Sequence, residues 1–359
     1  MPLKQYMHKQ QLGLSLVELM VGLVIGLVTT LVIMQIFSTF EGQKRSTMGS
    51  ADAQTNGGIA LFTIQRDLQM AGFGLPVFNK QNPPLKCNPT VTVDHDGNAA
   101  TPAIDMFPIS ITDGGGGLSD VIQVRYSEDG PNSKSGVAIA VDSLLGSNAI
   151  VENNLGCNGT DHVDSNTGVG DVVMISSGAT CNMTRVNNTD AYLAANPQHI
   201  PLASTAGVVN GASISCMGAW NQFTYTVVNN QLQRNVASQV NAMPLVSDIV
   251  NIQAQYGIAD NASSNKVTSW VSATSPWDAP TVDQRNRIRA VRVAVVARNG
   301  QLEKTNVTAA APLAWPDLNG SPAPTIDLSA DADWQRYRYR VYETIIPLRN
   351  MIWSSNTLL

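Results

Sequence analysis

The sequence predicts an α+β protein in which one long N-terminal α-helix packs on an antiparallel β-sheet with long, disulfide-tied loops. Two observations predict the helix: an apolar run from Leu14 to Met34, and the absence of proline between Leu3 and Pro76. A third predicts the sheet. Beyond Pro76, short β-branched runs alternate with stretches rich in Pro, Asn, Asp, Thr and Gly.

The apolar run is long enough to cross a bilayer as a helix, which takes about 20 residues. It is interrupted only by glycines, small hydroxyl residues and one carboxylate, Glu18. An acid at the centre of a span costs roughly 2.5–3.5 kcal/mol, so one that is kept there is a functional candidate. Gly22 and Gly26 form a small-x-x-x-small pair that lets a second helix approach, although glycine is common enough in membrane helices for chance to place them. Ahead of the run, Met1–Leu12 carries Lys4 and Lys9 like the n-region of an export signal, but no small-x-small cleavage site follows.

Gly13, Leu14, Ser15, Leu16, Val17 and Glu18 instead resemble the type IV prepilin signal, which reads Gly, an apolar residue, Ser or Thr, two apolar residues and Glu. The first mature residue of that pattern is usually Phe, and Leu14 departs from it. The resemblance implies that a prepilin peptidase cuts after Gly13 and that Leu14 becomes an N-methylated terminus. An α-amine has a pKa near 8 and keeps its charge on methylation. Glu18 lies about 6 Å further along the helix. When subunits stack helix on helix, the carboxylate of one meets the amine of another, and a wrong stagger strands a buried charge at a cost of several kcal/mol. Glu18 then sets assembly register; the plainer reading is that it snorkels to the membrane edge.

Helix propensity continues through Gln35–Lys44 to about Ala71, with Gly49, Gly57 and Gly58 marking a bend or frayed turn. From Ile59 the periodicity predicts a buried face of Ile59, Phe62, Leu68 and Phe73 or Ala71, with Gln65, Arg66, Asp67 and Gln69 largely outward. Gly72, Gly74 and Pro76 stop the helix. The domains expected are a leader at 1–13, a membrane or filament-core half-helix at 14–37, an amphipathic half at 38–75 and a β-rich head at 76–359.

Within the head, Asn79–Gly117 reads as irregular loop, including the run Gly114–Gly117. Strands are expected at Ser119–Ser127, Gly136–Val141 and Gly170–Ser176, and a hairpin at Phe223–Val228 and Gln231–Asn235 around Asn229-Asn230. Leu245–Tyr256 reads as a helical turn passing into strand, and Arg287–Ala297 as the strongest strand. Thr308–Asp331 is loop. In Trp334–Arg349, Arg336, Arg338 and Arg340 alternate with Tyr337, Tyr339 and Val341, which makes either an exposed sheet face or a docking surface for a neighbouring subunit.

With 359 residues, few charges and a net charge of −5, the chain has no basic stripe to neutralise phosphates, so nucleic acid is not an expected partner. Cys87, Cys157, Cys181 and Cys216 all follow the span. They read as two disulfides of an oxidising compartment with three open connectivities, or more plainly as buried thiols; zinc is disfavoured because no two lie at C-x₂₋₄-C spacing. The charge bias across the span is slight, so the cysteines and leader set the orientation, N-terminus in the cytoplasm and head outside the inner membrane. No G-x-S-x-G, Walker or H-E-x-x-H motif occurs, and neither enzyme activity nor a cofactor is expected. Asp94, Asp96 and Asn98, and Asp161, Asp164 and Asn166, have calcium-like spacing without the terminal Glu, and read as solvated turn acids ahead of a metal site.

The prepilin signal, QRDLQMAGFG at the helix end, LQRN in the hairpin, LVSDIVNIQAQYGI, RIRAVRVAVVAR and the closing YRYRVYETIIPLRNMIW together resemble the PilW family of minor type IV pilins. That resemblance implies a type IV pilin-like fold and a subunit that initiates or caps the pilus. Its implied partners are other minor pilins, the major pilin, the inner-membrane assembly machinery and often a large tip adhesin. The J-type pseudopilins of type II secretion are close relatives and the main alternative. A tethered periplasmic enzyme or binding protein is a reading of another class, to be marked by a deep pocket with convergent perturbed groups.

Overall fold

Helix-forming residues without proline run unbroken into one helix, α1 (Leu16–Met70), which no glycine interrupts. The computed structural model describes residues 15–75, 92–93, 107–128, 136–161, 163–164, 168–177, 180–236, 241–309, 313 and 315–351. After α1 come β1 (Thr92–Val93), β2 (Ile109–Thr112), β3 (Val121–Glu128), β4 (Ile139–Leu145), β5 (Asn148–Val151), β6 (Val163–Asp164), β7 (Gly168–Val169), β8 (Val172–Ser177) and β9 (Thr180–Arg185). Helix α2 (Asp190–Ala195), β10 (His199–Pro201), β11 (Ser213–Val228), β12 (Gln231–Val236), β13 (Met243–Ser247), β14 (Ile249–Ile258) and β15 (Ser269–Ser272) follow. Helix α3 (Val282–Arg285), β16 (Ile288–Arg298), a 3-10 turn at Trp334–Arg336 and β17 (Tyr339–Pro347) complete the chain. Two compact units divide it, Met1–Ala51 and Asp52–Leu359.

In the second unit, the end of α1 buries Ala53, Gly57, Ala60, Ile64, Asp67, Leu68 and Ala71. This corrects the expected face. Ile59 is 49% and Phe62 66% exposed, Phe73 is partly exposed, and Asp67 is inside. The reason is close approach: Gly57 lies directly against the Tyr342 ring of β17, where a Cβ would collide, so small residues (Ala53, Gly57, Ala60) face the core there and the large Ile64 and Leu68 enter it only further along. Gly58 faces open space.

Opposite α1 stands the sheet β15-β14-β16-β17, antiparallel throughout. Ile252, Ala254, Tyr256 and Ile258 of β14 and Val291, Val293, Val295 and Ala297 of β16 share one core with the helix. The other face of β16 buries Ala294 and Val296 beneath Trp315, Ile326 and Leu328. Burial on both faces explains why RIRAVRVAVVAR reads as a nearly continuous apolar strand, since each fully buried Val or Ile contributes roughly 1.5–3 kcal/mol. β13 and β14 are strand throughout, separated by Asp248 at φ +58°, so the helical turn expected near Leu245 is absent.

The larger sheet is organised on β11. Its first residues pair β8 and β4, and its later ones pair β3 and β12. The Asn229-Asn230 hairpin forms as expected, with both residues at positive φ and Val228 opposite Gln231. β2 falls within the stretch expected to be loop; its Ile-Ser-Ile-Thr alternation spans only four residues and is lost among Pro, Asp and Gly. β4, β5, β8 and β10 surround a separate core of Val141, Val151, Val173, Ile175, Ile200 and Ile214. Cys157 and Cys216 are disulfide-bonded inside this core across a separation of 59 residues, so the bridge ties the connection after β5 to β11. Cys181 is also disulfide-bonded. Cys87 lies outside the described residues.

The two sheets are joined where β14 extends past β15. Asp120 N–H donates to Ile252 O at 2.8 Å, Ile252 N–H to Ser119 Oγ at 3.1 Å, and Ala254 N–H to Asp120 Oδ2 at 2.8 Å. The alternating amides of NIQAQ do related work on the other face of β14. Asn251 donates to Gly117 O, Gln253 to Leu118 O and Gln255 to Pro322 O. The glycine run is thus a pinned structural turn, and Gly117 at φ +86° sits against the backbone of Asp327.

Candidate functional site

Every side chain from Ser15 to Phe40 is exposed, although most are Leu, Val, Ile, Met or Phe. Among the described residues α1 is the one helix long and apolar enough to cross a membrane. Its threonines suit apolar surroundings: Thr29 donates to Ile25 O at 2.7 Å, Thr30 to Leu27 O at 2.9 Å and Thr39 to Gln35 O at 2.9 Å, so no hydroxyl proton is stranded. Glu18 occupies the first turn, where its N–H donates to Ser15 O at 3.0 Å. Glu18, Gly22, Gly26 and Thr30 line one shallow trough flanked by Leu19, Leu23 and Leu27. A Cβ on Gly22 or Gly26 would meet nothing within 4 Å. Gly13 and Leu14 lie outside the described residues.

At the other end of α1, the structure joins motifs that are far apart in sequence. Asp67 of QRDLQMAGFG is 1% exposed and accepts from Arg66 at 3.1 Å, from Arg234 of LQRN at 3.3 Å and from the Tyr225 hydroxyl. Burial, then the Asp67 charge, pushes the Tyr225 phenol well above its usual range, so it stays a donor. Arg234 also stacks on Phe223, 4.6 Å from the ring centroid. Asn350 of the closing motif donates to the last helical carbonyls, Gln69 at 3.3 Å, Met70 at 3.3 Å and Ala71 at 3.2 Å. The sequence periodicity places Asp67 outward; the signal for the true inner face is the small-residue spacing Ala53, Gly57, Ala60.

Asp120, at the seam between sheets, is 2% exposed. Burial pushes its carboxyl up to about 7, against the pull of the Gly114 and Ala254 N–H groups and with the Asp113 charge adding to the rise. Arg292 of β16, also 2% exposed, pairs with Glu343 at 2.7 Å and stacks on Trp315 at 4.3 Å.

The arginine–tyrosine alternation is only partly strand. Arg336 is in the 3-10 turn and pairs with Asp333 at 3.0 Å, while Arg338 pairs with Glu303 at 3.0 Å. Tyr337 carries Arg298 on its ring at 4.3 Å, and Tyr339 donates to Trp334 O at 3.0 Å. Arg340 is exposed on β17. Of the calcium-like acids, Asp161 accepts from Asp190 N–H at 2.7 Å as a turn residue. Asp94, Asp96, Asn98 and Asn166 lie outside the described residues, as does the side chain of Asp164. Among the described residues no group of three or more His, Cys, Asp or Glu is placed to hold a metal ion.

These features define an α+β protein with a candidate membrane-anchoring helix and a β-rich head locked onto that helix's end. Residues 218–350 match the family model of PilW, described as Type IV Pilus-assembly protein W. Over that segment the chain is similar to the PilW family, whose description is of a protein related to type IV pilus assembly. No curated protein and no solved structure matches the chain. The matched segment contains Arg234 and Asn350, both of which hold α1; Asp67 and the apolar helix precede it.

Proposed function

We propose that the chain is a minor pilin that primes or caps the type IV pilus as part of a minor-pilin complex. The observation that carries this reading is the exposed apolar segment of α1, residues 16–40, with Glu18 in its first turn, in a chain of which residues 218–350 match PilW. Such a surface must be covered by lipid or by other helices, because contiguous exposed apolar surface on this scale marks an interaction site. Before assembly the helix sits in the inner membrane with the head in the periplasm, where the disulfides suit an oxidising compartment. Prepilin peptidase cleaves between Gly13 and Leu14, and the N-methylated Leu14 amine of one subunit pairs with Glu18 of a neighbour. In the second unit the exposed Ile59 and Phe62 offer apolar contacts to other minor pilins and the major pilin. Cells carrying Glu18→Ala should insert the protein into the membrane normally but incorporate it poorly into sheared fibres. Wild-type incorporation of that variant would remove the register role.

A further inference from the structure

We propose that the outer edge of β17 is a strand-addition site for an extended segment of another polypeptide, carboxylate-bearing at its ends and β-branched or apolar between them. β17 ends the order β15-β14-β16-β17, and among the described residues only β16 pairs with it. Edge positions of β2, β15 and β14 are occupied from within the head. Ile111 N–H of β2 donates to the Tyr256 hydroxyl at 2.7 Å, Trp270 N–H of β15 to Ser321 Oγ at 2.9 Å, and β14 beyond β15 is taken by Ser119 and Asp120. β13 carries Pro244. No described backbone or side-chain group bonds the Arg340–Ile346 backbone from outside the sheet. A long unprotected edge is a template for backbone pairing, and natural proteins leave one open where a partner strand arrives.

Side chains narrow the partner. Arg340 near the start of β17 and Arg349 just beyond its end are exposed and have no ion pair among the described residues. Glu343 between them is already committed to Arg292 and Trp315, and Ile345 is 49% exposed. The edge therefore carries cations at its ends, with Val341, Thr344 and Ile345 around the already paired Glu343 between them. Self-pairing of β17 about its centre would set Glu343 of one copy against Glu343 of the other, and opposed like charges destabilise a strand pair. An acid-ended foreign strand is favoured over a second copy. The inference uses the head alone and does not depend on the role given to α1.

The test uses the full chain in detergent micelles and a labelled synthetic peptide of alternating Thr and Val with Glu at both ends. In the free chain, hydrogen exchange should show Arg340–Ile346 amides alternating between slow and fast, and peptide binding should slow the fast set. Binding should weaken about tenfold or more when the peptide backbone is N-methylated at its centre, and again with Arg340→Glu combined with Arg349→Glu. Uniformly slow amides in the free chain, absence of binding, indifference to N-methylation, or self-association that blocks the peptide would each overturn the proposal.

Discussion

Asp67 is the residue on which the junction between helix end and head depends. Removing it leaves Arg234 and the Tyr225 hydroxyl facing a buried gap, and breaking a buried ion pair from one side costs about 3–5 kcal/mol. Asp67→Ala should lower the chemical-denaturation stability of the head by that order, whereas Arg66→Ala, on the 59% exposed partner, should change it little. Asp120 gives the opposite kind of signal. Its folded pKa of about 7 stands above the unfolded value of 3.8, so its stabilising contribution is complete below about pH 4 and is lost as pH rises through 7. A rise of that size is worth roughly 4 kcal/mol between the two protonation states. Denaturation midpoints of wild type and Asp120→Asn should therefore diverge in wild type's favour on acidification from pH 7.5 to 4.5; a gap that grows toward high pH would contradict the assignment. Glu18 and the cysteines stand out in the sequence because a charge within an apolar run and four thiols beyond it are chemically conspicuous. Asp67 is not, because an acid beside Arg66 and Gln65 looks like an ordinary solvated face.

At the level of elements, α1 and β16 are legible nearly to their ends, since long periodic or continuous apolar runs leave few alternatives. The inner face of α1 is legible only at Leu68 and Ala71, because the exposed Ile59 and Phe62 dominate the pattern while Ala53, Gly57 and Ala60 make the close approach. Two glycines one position apart test this. Gly57→Leu would drive a side chain into Tyr342 and should destabilise the head by about 1–3 kcal/mol, as overpacking does. Gly58→Ala, facing open space in a helix, should be neutral or stabilise by up to about 1 kcal/mol. Thermal unfolding of both variants reads the difference. In the β4–β10 lobe, joint replacement of Cys157 and Cys216 by Ala releases a loop of 59 residues and should cost on the order of 4 kcal/mol, seen as a lowered midpoint and faster proteolysis of the lobe. Of this lobe β4 and β8 are legible, overlapping Gly136–Val141 and Gly170–Ser176, while β5, β9 and β10 are not, because they are short and their pairings bridge turn-rich connections.

Across the whole molecule, the family-matched segment contributes most of β11, then β12 to β17 and Asn350, and so supplies the partners that grip the end of α1. Motifs that stand apart along the chain, QRDLQMAGFG, LQRN and the closing RNM, prove to be one physical device, a buried ion pair and a helix cap. The central claim is that the apolar helix is processed and then shared between subunits. Mass spectrometry of the protein's N-terminus, purified from cells with a working prepilin peptidase, tests it most directly. The expected result is a mature chain beginning at N-methylated Leu14, and a chain still beginning at Met1 would contradict it.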